Sequence, residues 1–143
     1  MKKLMNVLPL LLVAVLLFGT ACQGKKKEVE NVNVTLFDKE LSEIKALVNG
    51  DWELVSGKNA REFCEYENTF IKFADDQYVW TEDGKAEPGA LNWRKADTGA
   101  GYEAYLMDVF YETNPAYPVS VKGDTLILQD CSETGYKYTL VRK

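Results

Sequence analysis

Residues 49–55, Asn49-Gly50-Asp51-Trp52-Glu53-Leu54-Val55, mark the point at which the chain changes its hydrophobic period. Before this stretch, apolar residues recur at the spacing of one helix face, at Phe37, Leu41, Ile44 and Val48. After it, short segments rich in β-branched and aromatic residues alternate with turn residues. Gly50 ends the helical run, and Trp52 begins the first strand. The stretch therefore predicts one amphipathic α-helix followed by an all-β domain.

Turn residues divide the chain beyond Gly50 into about eight short strands, at the spacing that is typical of a sandwich or a barrel. In the last strand, one face carries Tyr136, Tyr138, Leu140 and Arg142. An even number of antiparallel strands lets the last strand pair with the first. The pattern therefore predicts a small antiparallel up-and-down β-barrel in which Arg142 lies near Trp52.

The N-terminus has the pattern of a secretory leader. Lys2 and Lys3 precede an apolar run, residues 4–18, that is too short to span a bilayer comfortably. The next four residues, Gly19-Thr20-Ala21-Cys22, resemble the lipobox of bacterial lipoproteins, in which the cysteine receives a diacylglyceryl thioether and becomes the new N-terminus. The lipobox usually has an aliphatic residue in place of Gly19, so ordinary leader cleavage after Ala21 is the alternative.

The resemblance to a lipobox implies three segments. Residues 1–21 would be a lipoprotein signal peptide, residues 22–34 a lipidated tether, and residues 35–143 the helix and the barrel. Cys22 would carry the acyl chains, palmitate among them, and would anchor the protein to a membrane. The folded domain would then lie outside the cytoplasm, in a bacterial cell envelope, with the outer membrane as the favoured location.

Composition restricts the partners of the domain. The chain of 143 residues has 17 basic and 22 acidic side chains, and its apolar fraction of 46% is ample for one packed core. Removing the leader takes away Lys2 and Lys3 and makes the balance more negative. Because a negative surface repels phosphate groups, we do not expect nucleic acid to be a partner.

Two cysteines, Cys64 and Cys131, belong to the domain. No thiol-rich motif surrounds either of them, and the envelope is an oxidising compartment. We therefore expect a disulfide between them, with two separate buried thiols as the alternative.

The chain lacks the residues that the common catalytic sites need. It has no histidine, which removes the usual general base of a Ser or Cys nucleophile and the commonest transition-metal ligand. Its paired acids, Asp75-Asp76 and Glu82-Asp83, fall at predicted turns, where acidic residues are expected for local hydrogen bonding. We therefore expect no enzyme activity, no metal site and no cofactor.

Aromatic residues exceed what the core of so small a barrel needs. Segment 104–111 carries large apolar side chains on both of its alternating faces, and one of these faces must be covered. A ligand, a partner protein or the predicted helix could each cover it. A ligand would require a lined pocket, and the candidate wall consists of Tyr78, Trp80, Trp93, Tyr105 and Phe110.

The set Gly50, Trp52 and Arg142 resembles the motif of the lipocalin and calycin families. In those families a Gly-x-Trp sequence opens the first strand, and an Arg or Lys late in the last strand packs across the indole. The resemblance covers residues 50–143, although this is less chain than a typical lipocalin uses. It implies a small bacterial lipocalin-like lipoprotein that binds a small apolar or amphipathic ligand, unless its own side chains fill the barrel. The alternative is a protein-interaction module of the envelope, an inhibitor or assembly factor without a small-molecule ligand.

Overall fold

The computed structural model describes residues 33–111 and 114–143, and of residues 110 and 111 it describes the backbone only. The predicted signal peptide, Cys22 and most of the predicted tether lie outside these ranges. The described residues form one helix and eleven strands, and the predicted all-β class is confirmed. The elements are β1 (Asn33–Thr35), α1 (Leu41–Val48), β2 (Gly50–Lys58), β3 (Phe63–Glu65), β4 (Thr69–Ala74), β5 (Gln77–Glu82), β6 (Lys85–Ala90), β7 (Arg94–Asp97), β8 (Glu103–Tyr111), β9 (Asn114–Lys122), β10 (Thr125–Asp130) and β11 (Lys137–Arg142).

The strands form one antiparallel sheet in the order β6-β5-β4-β2-β11-β10-β9-β8-β7. Two short strands lie off this path. β3 pairs with the second half of β2, beyond the part that pairs with β4. β1 pairs with the end of β9. Apart from these additions, the sheet is an up-and-down meander in which the long strand after the helix pairs with the last strand of the chain.

The sheet is not closed, and a barrel of eight strands is therefore not confirmed. The predicted pairing of first and last strands is present, because β2 and β11 are neighbours and Arg142 faces Trp52. The open margins are β6 and β7, which follow each other in the chain. β6 contains Pro88, which cannot donate a ladder hydrogen bond and is typical of an edge strand. One backbone hydrogen bond, from Asp108 N to Leu91 O at 2.7 Å, brings β8 beside the segment that follows β6.

The helix is shorter than the sequence predicts. Residues 33–35 form β1, so the end of the predicted tether is a strand. The helix begins after Glu40, whose backbone N–H donates to the Glu43 carboxylate at 3.4 Å. Ile44 and Val48 are buried, whereas Phe37 precedes the helix and is 39% exposed. Among the residues described here, no helix is both long enough and apolar enough to cross a membrane.

The main core lies on one face of the sheet, which we call the inner face. It includes Trp52, which is fully buried, and α1 contributes Ile44 and Val48 to it. The strands contribute the side chains of Leu54, Ile71, Phe73, Met107, Val109, Leu126, Leu128 and Leu140. A second, smaller cluster consists of Ala104, Leu106 and Tyr117. Both alternating faces of β8 are therefore buried, one in each cluster.

Candidate functional site

Gly50, Trp52 and Arg142 come together where the sheet meets the helix. The Arg142 guanidinium carbon lies 4.2 Å from the centroid of the Trp52 ring. The guanidinium also donates hydrogen bonds to the backbone oxygens of Leu47 and Asn49, each at 3.2 Å. The Trp52 indole N–H donates to Val48 O at 2.8 Å, and its side chain is 0% exposed. The expected neighbourhood of Trp52 and Arg142 is confirmed, and it ties β2 and β11 to the end of α1.

Gly50 is required by this arrangement for two reasons. Its φ angle is +134°, a conformation that L side chains rarely adopt. A Cβ atom at this position would also run into the Arg142 guanidinium. Because the Trp52 indole is fully buried, these three residues stabilise the packing of the sheet against the helix.

A cleft of about 380 Å³ lies in the inner face of the sheet, beside the margin strand β6. Its volume falls in the range of small-molecule sites, which is about 300 to 1,000 Å³. The residues that line it are Tyr66, Tyr78, Trp80, Glu82, Glu87, Pro88, Val109 and Tyr138. A neighbouring cleft of about 250 Å³ shares Trp80, Glu82 and Glu87 and adds Asp83 and Lys85.

The alternation of β5 places two aromatic rings in the wall of this cleft. Tyr78 and Trp80 face Phe73 and Ile71 of β4, whose side chains are in the core, so all four point to the inner face. On the other side of β5, Tyr78 faces Gly89 of β6. A Cβ atom at Gly89 would overlap the Tyr78 ring, so the glycine leaves room for the tyrosine.

Buried side chains from distant parts of the chain complete the cleft. Tyr138 of β11 is 6% exposed, and its hydroxyl donates to the Asp130 carboxylate at 3.4 Å. Val109 comes from β8 and is buried in the main core. Tyr66 follows β3, and its hydroxyl accepts a hydrogen bond from the Cys64 thiol at 3.6 Å. These contacts hold Tyr138 and Tyr66 against neighbouring side chains.

Only part of the predicted aromatic wall reaches the cleft. Tyr78 and Trp80 line it. Trp93 lies elsewhere, where its indole N–H donates to Asp75 O at 2.8 Å. Tyr105 packs against the main core, with the Lys95 ammonium 5.7 Å from its ring centroid. The side chain of Phe110 lies outside the part of the chain that is described.

Sequence reasoning missed the other lining residues. Tyr138 had a signal, because it shares a predicted strand face with Leu140. Tyr66 belongs to the surplus of aromatic residues, but its position after a three-residue strand does not predict a place in the wall. Glu87 has no sequence signal, because it lies in an exposed margin strand. Their place in the wall follows from long-range pairing that no local pattern reveals.

The predicted disulfide is wrong in this structure, because Cys64 and Cys131 are both free. Two strands, β2 and β11, lie between β3, which contains Cys64, and β10. The residues that face one another along this path are Cys64, Gly57, Tyr138 and Leu128. Cys131 follows β10. Three strand spacings of about 4.8 Å separate β3 from β10, whereas a disulfide needs Cα atoms within about 7 Å. Burial and the nearby Asp130 carboxylate raise the pKa of the Cys131 thiol.

Tyr117, which packs with Ala104 and Leu106 on the other face of β8, belongs to an aromatic cluster. The Phe37 ring lies 5.2 Å from the Tyr102 ring and 6.1 Å from the Tyr117 ring, measured between centroids. The hydroxyls of Tyr102 and Tyr117 are 2.7 Å apart. Burial, followed by this hydrogen bond, raises the pKa of Tyr117. Side chains of the chain itself therefore cover this apolar face of segment 104–111.

Comparisons of the chain with protein-family models, with curated proteins and with solved structures found no match. Within residues 33–111 and 114–143, no group of three or more His, Cys, Asp or Glu side chains could hold a metal ion.

Proposed function

We propose that this protein is a non-enzymatic, lipid-anchored lipoprotein of a bacterial cell envelope that binds a small apolar or amphipathic molecule in the cleft beside Trp80. The proposed architecture is a lipocalin-like barrel with an open margin. The observation that supports the proposal is the cleft itself, which has a volume of about 380 Å³ and is lined by the rings of Tyr66, Tyr78, Trp80 and Tyr138.

The wall suits an amphipathic ligand. Aromatic rings offer apolar area, while tyrosine hydroxyls and carboxylates at the same site offer polar contacts. Tyr78 and Trp80 stand on β5, which is paired with a strand on either side, so the backbone from which the two rings project is ordered. A wall that is already ordered loses little conformational entropy when a ligand binds, and this raises the affinity.

The anchor would hold the cleft near a lipid surface. Lipidation of Cys22 supplies several acyl chains, each stabilised in the bilayer by about 0.8 kcal/mol per buried methylene. The length of chain between Cys22 and Asn33, where β1 begins, limits their separation to about 40 Å. A ligand that partitions into membranes would thus be concentrated within reach of the domain.

Native mass spectrometry of the domain, expressed without Cys22 and purified from cells without detergent, tests this function. We expect an additional mass of a few hundred daltons that is retained under gentle ionisation. Trp80→Leu should lose that mass, whereas the control Trp93→Leu, the same change outside the cleft, should keep it. A clean apo mass for the unaltered domain, or a ligand retained by Trp80→Leu, would contradict the proposal.

An envelope protein-interaction module is the second candidate function. Phe63 supports it, because it lies on the short strand β3 and is 62% exposed. Capture of one envelope protein by the unaltered domain and not by Phe63→Ser, with the ligand mass absent from both, would favour this function over the first.

A further inference from the structure

We infer that the molecule bound in the cleft carries a cationic ammonium group beside its apolar part. The inference rests on the proposed ligand-binding function and deepens it. The feature that carries it is the presence of two carboxylates, Glu82 and Glu87, among the aromatic rings that line the cleft.

The strand register places both carboxylates next to Trp80, on the same face of the sheet. Glu87 of β6 faces Trp80 directly across the ladder. Glu82 follows Trp80 by two residues in β5 and therefore projects to the same face of the sheet. A ligand group that contacts the indole from this face would thus lie near two negative charges.

The negative charge of the cleft is not neutralised by an ion pair. Among the residues that the structure describes, the ion pairs are Lys45 with Asp76 and Arg94 with Asp108, and neither involves Glu82 or Glu87. Lys85 faces Glu82 across the ladder. It is the single basic residue that lines the two neighbouring clefts, whereas three acidic residues line them. An anionic head group, such as a carboxylate or a phosphate, would be repelled there, whereas a cation would be attracted.

Aromatic rings add selectivity for the shape of that cation. The face of an aromatic ring attracts an ammonium group, and tryptophan provides the strongest such attraction. Trp80 stands beside Tyr78 on the inner face of the sheet, and the Tyr66 ring lines the same cleft. This combination favours a bulky, weakly hydrated alkylammonium over a small metal ion, which needs several oxygen ligands instead.

Three decyl probes that differ in head group test the inference by isothermal titration of the intact domain. The probes are decyltrimethylammonium, the neutral and similarly sized decyldimethylphosphine oxide, and decyl sulfate, each below its micelle concentration. We expect the ammonium to bind at least about tenfold more tightly than the neutral probe, a ratio that corresponds to about 1.4 kcal/mol. The sulfate should bind most weakly, and added salt should reduce the preference for the ammonium.

Variants of the acidic and aromatic residues identify the source of the preference. The double change Glu82→Gln and Glu87→Gln should weaken binding of the ammonium about tenfold and leave the neutral probe unchanged. Glu103→Gln, an exposed carboxyl of β8 outside the cleft, should change neither affinity. Trp80→Leu should weaken binding of every probe and weaken binding of the ammonium most. Circular dichroism would show that each variant is folded.

The outcomes separate the inference from the function on which it rests. Equal affinity for the three probes would contradict the cationic ligand and leave the apolar site intact. Tighter binding of the sulfate would contradict the inference in the same way. No binding of any probe would count against both proposals.

Discussion

The contact of Arg142 with Trp52 and the end of the helix yields the most quantitative expectation. The guanidinium stacks on an indole and donates to two backbone oxygens. An exposed cation–π contact contributes about 0.5 to 1 kcal/mol. Each charge-assisted hydrogen bond at this exposed site contributes about 1 kcal/mol after screening by solvent. Arg142→Ala should therefore lower the free energy of unfolding by about 2 to 3 kcal/mol.

A conservative variant distinguishes charge from geometry. Arg142→Lys keeps a positive charge near the ring but lacks the fork that holds both carbonyl oxygens, so it should cost about 1 kcal/mol. Lys137→Ala removes an exposed cation from the same strand and should change the free energy by less than about 0.5 kcal/mol. Urea unfolding followed by tryptophan fluorescence measures all three. Equal losses for Arg142→Ala and Lys137→Ala would refute the reasoning.

Three further expectations concern other parts of the fold. Gly50→Ala should cost about 1 to 3 kcal/mol in urea unfolding, because of the positive φ angle and the overlap with Arg142. Asp130→Asn should cost about 1 to 3 kcal/mol, since the buried carboxylate accepts hydrogen bonds from the Ser132 hydroxyl and the Tyr136 N–H, whereas exposed Glu133→Gln should cost little. The hydrogen bond to Glu62, at 2.6 Å, raises the pKa of Tyr136 to about 12. In the folded state the Tyr136 hydroxyl therefore keeps its proton to higher pH than in the unfolded state. This contribution to stability is complete below about pH 10 and is lost as the pH rises towards 12. Spectroscopic titration of tyrosinate should show that Glu62→Gln brings the pKa of Tyr136 back towards about 10.

The sequence predicted the pairing of β2 with β11 because its signals were local and strong. The change of period at Gly50 located the first strand, and the alternation around Tyr138 located the last. An up-and-down chain then brings these strands together. No local sequence signal of this kind indicates the margin strand β6. Lys85 to Ala90 contains Pro and Gly and reads as a turn region, yet pairing with β5 makes it a strand.

The candidate site was predicted only in part for a similar physical reason. Tyr78 and Trp80 lie two residues apart in one strand, so alternation alone places them on one face. Trp93 and Tyr105 also belong to the surplus of aromatic residues, but alternation does not locate them. The position of Trp93 depends on the loop after β6, and that of Tyr105 depends on the register of β7 with β8. The disulfide failed because sequence spacing does not reveal that β2 and β11 lie between the two cysteines.

The three tryptophans of the chain allow the most direct test of the cleft. Each indole N–H gives its own signal in an NMR correlation spectrum of the nitrogen-labelled domain. The indole N–H groups of Trp52 and Trp93 donate to backbone oxygens away from the cleft, whereas Trp80 lines it. On titration with decyltrimethylammonium, we expect the Trp80 signal to move while the other two stay in place. A stationary Trp80 signal, or equal movement of all three, would contradict the account.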